Sequence, residues 1–360
     1  MDTNKRSGDD GDFVRIKIVH VSDTHGMHHG IKVPEGDVLF HTGDFSNEGE
    51  VEEEWPDFND WLGKIRKRFR LGVYVILGNH DWKFLDSGRP AVSEKLVSIL
   101  ADEQKRRAWL NQRLPNATRV LDNEIIELEV TPPDSKGLKR ESISLTGGPA
   151  ATATISICAC PWQPFNYSPT YPDRVPKEGE NSGHRRVYDL YSKSFSNELD
   201  GFSGGEGAWC YENILRPDSK DAAAIDVLLS HVPPRGVFDR MPIIGSWGSS
   251  EFLRHCIMRR EKAIRCHLFG HVHAQRGFWS LKEAEQRKRV LQGGVEYAKR
   301  TGDEQYVLEI MEASGLHFMA NTALASDRTV NLFGKKRIAG TPRVINGIYK
   351  KGKWRFDANC

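Results

Sequence analysis

Five short motifs in this chain carry carboxylate, amide and imidazole side chains, the groups that bind divalent metal ions. Each motif directly follows a short apolar run, which predicts a buried strand. Because open α/β sheets bind ligands at the carboxyl ends of their strands, we expect all five motifs to converge on one edge. The motifs are Asp23-Thr24-His25, Gly43-Asp44, Gly78-Asn79-His80-Asp81, Ser230-His231 and Gly270-His271-Val272-His273, after apolar runs at 16–21, 38–40, 73–77, 225–229 and 267–269.

These side chains suit a pair of divalent ions about 3.5–4 Å apart, which needs one shared anionic ligand. Asp44 is the natural bridge, since a carboxylate at a strand end can offer oxygen to both ions. Hydroxide held between the ions would be a nucleophile at neutral pH, because coordination lowers the pKa of water to about 7. Oxygen and imidazole ligands suit Mn, Fe, Zn, Co or Mg without selecting among them. The predicted sets are Asp23, His25 and His273 for one ion, and Asn79, His231 and His271 for the other.

His80 is the remaining imidazole in the third motif. If Asn79 is a ligand, its neighbour projects toward the substrate, where it could protonate the leaving oxygen or stabilise phosphoryl charge. Asp81 could hold the His80 ring in the required tautomer, or could cap a helix that begins near Trp82. Both interpretations of Asp81 remain open.

The motif series resembles the calcineurin-like metallophosphoesterase superfamily over about residues 16–349. It is most similar to the metallophosphoesterase-domain-containing (MPPED) family. The resemblance implies an α/β fold of two packed mixed sheets flanked by helices. It also implies metal-dependent hydrolysis of phosphodiesters, including cyclic or other small nucleotides. The segments that carry the match to this family are 21–25, 36–45, 58–62, 231–234 and the Pro-Trp-x-Pro segment at 161–164.

Other activities stay open beside the phosphodiesterase. A phosphomonoesterase or a phosphoprotein phosphatase is the nearer alternative, although residues 43–49 lack the Gly-Asp-x-x-Asp-Arg-Gly pattern of the phosphoprotein phosphatases. From a different class, the chain could retain metals but act as a nucleotide-binding or scaffold protein with little turnover. The complete ligand set argues against this last interpretation.

The 360 residues, 38% of them apolar, can bury a large core. We expect a disordered tail at 1–12 and a single domain at 13–360, because any cut between the first and last motif would split the site. Short β runs at 119–121, 125–130, 143–146 and 155–160, and again at 290–291, 306–310 and 316–319, predict a second sheet. An insertion at about 166–207 is either a lid over the site or a surface excursion.

Charge and cysteine content limit the partners and the compartment. The net charge of +2 gives no reason to expect nucleic acid, and no apolar stretch approaches the roughly 20 residues that span a bilayer. The first dozen residues lack the apolar core of a signal peptide. Six cysteines form no zinc-binding or disulfide framework, and Cys158 and Cys160 should face one side of a strand. We expect a cytosolic protein; protein partners are not predicted.

Substrate contacts are the least determined part of the site. Asn79 and His80 would face the substrate from the third motif. His28, together with His29, follows the first motif in a loop and could reach a phosphate or a base, although a loop histidine is more often solvated. Trp162 could stack a nucleobase and Arg235 could pair with phosphate oxygens, but core packing and a surface ion pair explain them equally well. His20 and His41 fit core positions.

Overall fold

The computed structural model describes the strands and helices that position the five motifs. The ranges described are 13–85, 92–131, 152–161, 214–215, 220, 222–241, 245–246, 249–260, 262–280, 310–311, 314–325 and 337–358. Outside these ranges lie the predicted tail at 1–12, the β runs at 143–146 and 290–291, most of the run at 306–310, Trp162 and the insertion at 166–207.

The first sheet is built on parallel strands from the N-terminal part of the chain. Its strand order is β14-β13-β1-β2-β3-β4, with β1 to β4 parallel and β13 and β14 antiparallel at one edge. Apolar residues alternate with exposed ones at the start of β1 and are continuous at its end, as expected for a strand that becomes fully buried. The strands are β1 (Val14–Val21), β2 (Gly36–Thr42), β3 (Phe69–Ile76), β4 (Arg119–Val120), β13 (Arg343–Lys350) and β14 (Lys353–Ala358).

The second sheet has the strand order β11-β12-β10-β7-β6-β5. Its four central strands, β12, β10, β7 and β6, are parallel, and β11 and β5 are antiparallel edges. A two-stranded ribbon of β8 and β9 stands apart. The strands are β5 (Glu124–Val130), β6 (Ala153–Cys160), β7 (Ile225–Ser230), β8 (Arg240–Met241), β9 (Gly245–Ser246), β10 (Ile264–Phe269), β11 (Gly277–Ser280) and β12 (Phe318–Asn321).

Helices cover the outer faces of the sheets. Helix α1 begins in an acidic segment and ends before basic residues, the arrangement that the helix dipole favours. Helices α2, α3 and α4 begin after Ser93, Asp102 and Ser250, whose side chains accept hydrogen bonds from backbone N–H groups of the first turn. The helices are α1 (Glu54–Ile65), α2 (Glu94–Ala101), α3 (Glu103–Arg113) and α4 (Glu251–Arg259).

The core between the sheets is apolar and comes from alternate strand positions. Side chains of the first sheet and of the second belong to one buried cluster, so the inner faces pack directly on each other. The outer face of the first sheet buries Val19 and Leu39 against Trp55 and Phe58 of α1. Inner-face members of the cluster are Ile18, Phe40, Ile76, Ile157, Leu229 and Leu268. The predicted fold of two packed mixed sheets with flanking helices is confirmed.

Two details of the fold qualify the predictions from the sequence. The run at 119–121 was expected in the second sheet, but Arg119 and Val120 pair with Tyr74 and Val75 of β3 and so extend the first sheet. The Thr118 N–H donates to the Val73 carbonyl and directs the chain there. In the described ranges, no helix is long and apolar enough to cross a membrane.

Candidate metal centre

The five motifs lie together at the carboxyl ends of five parallel strands. Asp23 and Asp44 follow β1 and β2, His80 follows β3, and His231 and His271 follow β7 and β10. Backbone hydrogen bonds join the motif loops: the Asp23 N–H donates to the Gly43 carbonyl over 2.9 Å, and the Gly270 N–H to the His231 carbonyl over 2.9 Å. The predicted convergence on one edge is confirmed.

Four of the predicted ligands have left-handed backbone conformations, with φ of 54° at Asp23, 44° at His25, 55° at Asp44 and 68° at His271. A side chain makes this conformation unfavourable, and such residues persist where the surrounding structure enforces them. Here the unfavourable backbone conformation directs the side chains of successive loops at one point. Strain of this kind clusters at functional sites.

Glycines in the motifs allow the loops to approach closely. A Cβ atom on Gly78 would collide with the Asp44 carboxylate and lie 2.6 Å from the Asp44 nitrogen. A Cβ atom on Gly270 would collide with the side chains of Ser22 and Asp23. Gly78 and Gly270, which precede the predicted ligands Asn79 and His271, are therefore required by contact between the loops.

A first group of side chains consists of Asp23, His25 and His273. The Nε2 atom of His273 lies 3.1 Å from Asp23 Oδ1 and 3.1 Å from His25 Nε2. The other oxygen of Asp23 accepts hydrogen bonds from the Ser22 hydroxyl over 2.6 Å and from the His271 N–H over 2.9 Å. The carboxylate is thus fixed on one side, with Oδ1 directed at the two imidazoles.

A second group consists of Asp44, His231 and His271, with Asn79 beside them. The Nε2 atom of His231 lies 3.1 Å from Asn79 Oδ1 and 3.2 Å from His271 Nδ1. All four side chains are buried, between 0% and 7% exposed, so these polar atoms are shielded from bulk water. Each of the two groups is close enough to hold a metal ion.

Asp44 stands between the two groups. Its Oδ2 atom lies 3.6 Å from His25 Nε2, and its Oδ1 atom lies 3.5 Å from His231 Nε2. The backbone N–H of His80 also donates to Oδ1, over 2.7 Å. One carboxylate therefore presents one oxygen to each group.

A backbone carbonyl fixes the tautomer of His231. Its Nδ1 atom lies 2.8 Å from the Thr42 carbonyl oxygen and must donate to it. This leaves Nε2 directed at Asp44, Asn79 and His271, as in histidines that bind metal through the opposite nitrogen. Burial is the largest single influence on the pKa of His231 and lowers it, but the charges of Asp44 and Asp23 and the hydrogen bonds to Asp44 and Thr42 together raise the pKa to about 9. The negative charges around His231 therefore stabilise a positive charge at this position.

Asp23 and Asp44 remain ionised despite burial. Burial raises the pKa of each carboxyl group, but for Asp23 the hydrogen bond and charge of His273 outweigh it and hold the pKa below its usual value. His231 has the corresponding effect on the pKa of Asp44. Burial lowers the pKa of His271 to about 3, so this imidazole is neutral. Two buried carboxylates beside the imidazoles of His231 and His271 form a site that suits a cation.

The hydrogen bonds described for His80 and Asp81 lead to different partners. The Asp81 carboxylate holds the loops instead: Oδ2 accepts from the N–H groups of Asp44 and Gly78, and Oδ1 from the Ser46 N–H and hydroxyl. His80 Nδ1 lies 2.6 Å from the carbonyl oxygen of Asn47, which takes the orienting role. The His80 ring stands edge-on to His25, with centroids 4.4 Å apart. His80 also belongs to a third group with His25 and Asp44, whose donor atoms lie within 4.8 Å of one another.

The second interpretation, that Asp81 caps a helix, also differs from the position that Asp81 has in the structure. Residues His80–Leu85 form a 3₁₀ turn, and Asp81 lies inside it. Its carboxylate is completely buried and bonded to N–H groups of the loop after β2 and of the Gly78 turn. By accepting hydrogen bonds from backbone N–H groups of two loops, Asp81 positions the ligands that those loops carry.

The predicted substrate residues have different placements. His28 does not stand open at the rim, because its side chain is 1% exposed, its Nε2 lies 3.0 Å from Asp57 Oδ2 and its ring packs on Phe58 and Trp61. Contact between His28 and substrate stays a prediction. Arg235 is partly buried in the turn after His231, and its backbone N–H donates to the Ser250 carbonyl.

The predictions for the core histidines and cysteines agree with the structure. His20 and His41 are completely buried, with Nε2 atoms 2.9 Å and 3.3 Å from the hydroxyls of Thr42 and Thr24. Cys158 and Cys160 are buried free thiols on one side of β6, with sulfur atoms 3.8 Å apart.

Comparison with known proteins agrees with this geometry. Residues 16–128 match the family model of calcineurin-like phosphoesterases. The matched segment is similar to calcineurin-like phosphoesterases and contains the first three motifs. Metallophosphoesterase domain-containing protein 1 of Homo sapiens is 24% identical over 257 residues, 71% of this chain and 60% of that protein. A UPF0046 protein of Caenorhabditis elegans is 25% identical over 265 residues, 74% of this chain and 66% of that protein.

The resemblance to this superfamily and to the metallophosphoesterase-domain-containing proteins is thereby confirmed. The chain spans less than two thirds of the length of these two relatives. The aspartate–histidine groups described above could bind divalent ions.

Proposed function

We propose that the chain is a dinuclear metal-dependent phosphodiesterase that hydrolyses small phosphodiesters, including cyclic nucleotides. The observation that carries this proposal is the position of Asp44. One carboxylate oxygen lies 3.6 Å from His25 and the other 3.5 Å from His231, so the carboxylate can be shared by ions held in the two groups. A shared anionic ligand is the central requirement of a two-metal site.

The donor set fits divalent ions. Two ligands about 2.0–2.1 Å from one ion lie roughly 2.8–3.4 Å apart in octahedral or tetrahedral geometry. The 3.1 Å separations of His273 Nε2 from Asp23 Oδ1 and from His25 Nε2 agree with this spacing. The 3.1 Å between His231 Nε2 and Asn79 Oδ1 agrees as well. Oxygen and imidazole donors suit Mn, Fe, Zn, Co or Mg.

Asp23, His25, Asp44 and His273 would hold one ion, and Asp44, Asn79, His231 and His271 the other. Such ions supply a water nucleophile at neutral pH and stabilise the charge that develops on phosphoryl oxygens. The protein itself fixes the ligands before the ions bind. The Thr42 carbonyl orients the His231 ring, and Ser22 and the His271 N–H fix the Asp23 carboxylate.

His80 is the group we assign to the leaving oxygen. Its Nδ1–H is committed to the Asn47 carbonyl, so Nε2 is the nitrogen that can exchange a proton with the substrate. An imidazole fixed in this way can donate a proton to an alkoxide in the transition state without further ordering. Asn79, next to it, would contact a phosphoryl oxygen from the opposite side of the turn.

The preference for diesters rests on the resemblance to the metallophosphoesterase-domain-containing proteins, and a direct comparison of substrates tests it. The purified chain is treated with a chelator, reloaded with Mn, Fe, Zn, Co or Mg, and assayed for metal content by elemental analysis. Values of kcat/KM are then measured for bis-p-nitrophenyl phosphate, p-nitrophenyl phosphate and 3′,5′-cyclic nucleotides.

We expect two ions per chain with Mg, and a higher kcat/KM for the diesters than for the monoester. A higher value for the monoester would indicate a phosphomonoesterase. Two bound ions without turnover would indicate a nucleotide-binding or scaffold protein. One ion per chain would contradict the shared role of Asp44.

A further inference from the structure

A separate cluster of metal-binding side chains lies between the loop after the first motif and helix α1. It consists of His28 and His29, in a 3₁₀ turn, and Asp57, in the first turn of α1. The Nε2 atom of His28 lies 3.0 Å from Asp57 Oδ2, and the Nε2 atom of His29 lies 2.9 Å from Asp57 Oδ1. Both oxygens of one carboxylate therefore face an imidazole nitrogen.

The arrangement brings two adjacent histidines to the same point. Their ring centroids are 4.7 Å apart, and the three donor atoms lie within 4.8 Å of one another. Donors on one tetrahedral ion lie roughly 3.3 Å apart when metal–ligand distances are about 2.0–2.1 Å. The cluster needs only a small outward movement to accept an ion, and the solvent side leaves room for water ligands because Asp57 and His29 are exposed.

Burial keeps the imidazole ring of His28 in its neutral form. The ring of His28 packs against Phe58 and Trp61, with centroids 5.3 Å and 5.5 Å away. Burial lowers the pKa of His28 to about 4, and the charge of Asp57 only partly opposes this. The ring is therefore neutral at pH 7, the form in which imidazole binds metal.

We propose that His28, His29 and Asp57 bind a divalent transition-metal ion. This site is distinct from the strand-end centre, the site that the five motifs form at the ends of the strands. Two imidazoles and one carboxylate favour Zn²⁺, Ni²⁺ or Cu²⁺ over Mg²⁺ and Ca²⁺. The bound ion joins the loop that follows His25 to helix α1. When Nε2 of His28 binds the ion, the ring proton lies on Nδ1, which is buried without a hydrogen-bond partner among the described residues. This weakens binding, so the ion at this site exchanges with solvent.

The test compares matched variants on the same helix. Asp57→Ala removes the carboxylate of the cluster, whereas Asp60→Ala removes an exposed carboxylate one turn further along α1. Each chelator-treated protein is titrated with Zn²⁺, Ni²⁺ or Mg²⁺ by equilibrium dialysis and elemental analysis. The melting temperature is recorded at each metal concentration, so that binding is also detected without an activity assay.

We expect the unmodified chain and Asp60→Ala to bind one more equivalent of Zn²⁺ or Ni²⁺ than Asp57→Ala. The corresponding rise in melting temperature should be lost in Asp57→Ala, and His29→Gln should behave in the same way. With Mg²⁺ the variants should not differ. Equal Zn²⁺ stoichiometry and an equal Zn²⁺-induced rise in melting temperature in all proteins would overturn the proposal and leave a hydrogen-bonded ion pair. The result does not depend on the number of ions at the strand-end centre, since only the difference between variants is used.

Discussion

The backbone N–H of Asp44 donates to the carboxylate of Asp81 over 2.8 Å, so one buried aspartate positions the other. The same Asp81 oxygen accepts from the Gly78 N–H, also over 2.8 Å, and thereby joins the loop after β2 to the loop after β3. Two loops that supply Asp44, Asn79 and His80 are held by one side chain. Asp81 is a positioning residue, and its contribution should appear in stability.

Asp81→Asn should destabilise the metal-free chain by about 2–4 kcal/mol. An amide has one acceptor oxygen, so its NH₂ group would meet backbone N–H donors and leave them unsatisfied in the interior. The measurement is urea unfolding followed by circular dichroism. Ser46→Ala is the matched control, because it removes one hydroxyl donor to Asp81 and should cost about 1 kcal/mol. Unchanged stability in Asp81→Asn would contradict this role.

Asp44→Asn should weaken metal binding in both groups and lower kcat by orders of magnitude. The amide loses the negative charge and can offer only one oxygen, whereas the proposed site uses both carboxylate oxygens of this residue. Elemental analysis and turnover of bis-p-nitrophenyl phosphate measure the two effects. Asp60→Asn, on the exposed face of α1, should leave both unchanged. Normal turnover with two ions bound to Asp44→Asn would remove Asp44 from the bridging position.

His80→Ala should retain the metal content but lose about 10²–10⁴-fold in kcat, the usual contribution of a general acid or base. The loss should be smaller for p-nitrophenyl esters than for cyclic nucleotides, because p-nitrophenolate leaves without protonation. Comparing kcat for the two substrate classes in the variant and the unmodified chain tests the assignment. An equal loss for both classes would point to phosphate positioning, and loss of an ion would make His80 a ligand.

The strand ends could be predicted because the apolar runs before Asp23, Asp44, Asn79, His231 and His271 carry a strong local signal. Parallel strands then place these residues at one edge without any further information. The glycines in the motifs also indicated turns at these strand ends. Gly78 and Gly270 lie where another loop leaves no space for a Cβ atom.

The partners of these side chains could not be predicted in the same way. The Asn47 and Thr42 carbonyls that orient His80 and His231 are groups that every residue has, so the sequence does not mark them. The direction of His28 depends on Asp57, which lies 29 residues away on α1. The two-residue strand β4 was assigned to the wrong sheet for a similar reason, since its pairing with β3 is decided by tertiary contact and not by composition.

Buried neutral histidines should make the stability of this fold sensitive to acid. Burial lowers the pKa of His267 to about 3, while its Nε2 remains 2.8 Å from the Ser230 hydroxyl. In the unfolded chain the pKa of histidine is about 6.5. Between these values the unfolded state binds a proton that the folded state does not, so the free energy of unfolding rises with pH there. The contribution of His267 is complete above about pH 6.5 and is lost as the pH falls toward 3.

His267→Gln should therefore reduce the acid sensitivity of the fold. The amide can keep a hydrogen bond to Ser230 but does not titrate, so the loss of unfolding free energy between pH 6.5 and pH 5 should be about 1–2 kcal/mol smaller than in the unmodified chain. Urea unfolding of the metal-free proteins at both pH values gives this difference directly. Leu268→Ala, at the neighbouring fully buried position of β10, should cost about 2–5 kcal/mol at both pH values and leave the difference unchanged. If His267→Gln loses as much stability on acidification as the unmodified chain, then His267 does not bind a proton on unfolding, and the acid sensitivity must come from the other buried histidines.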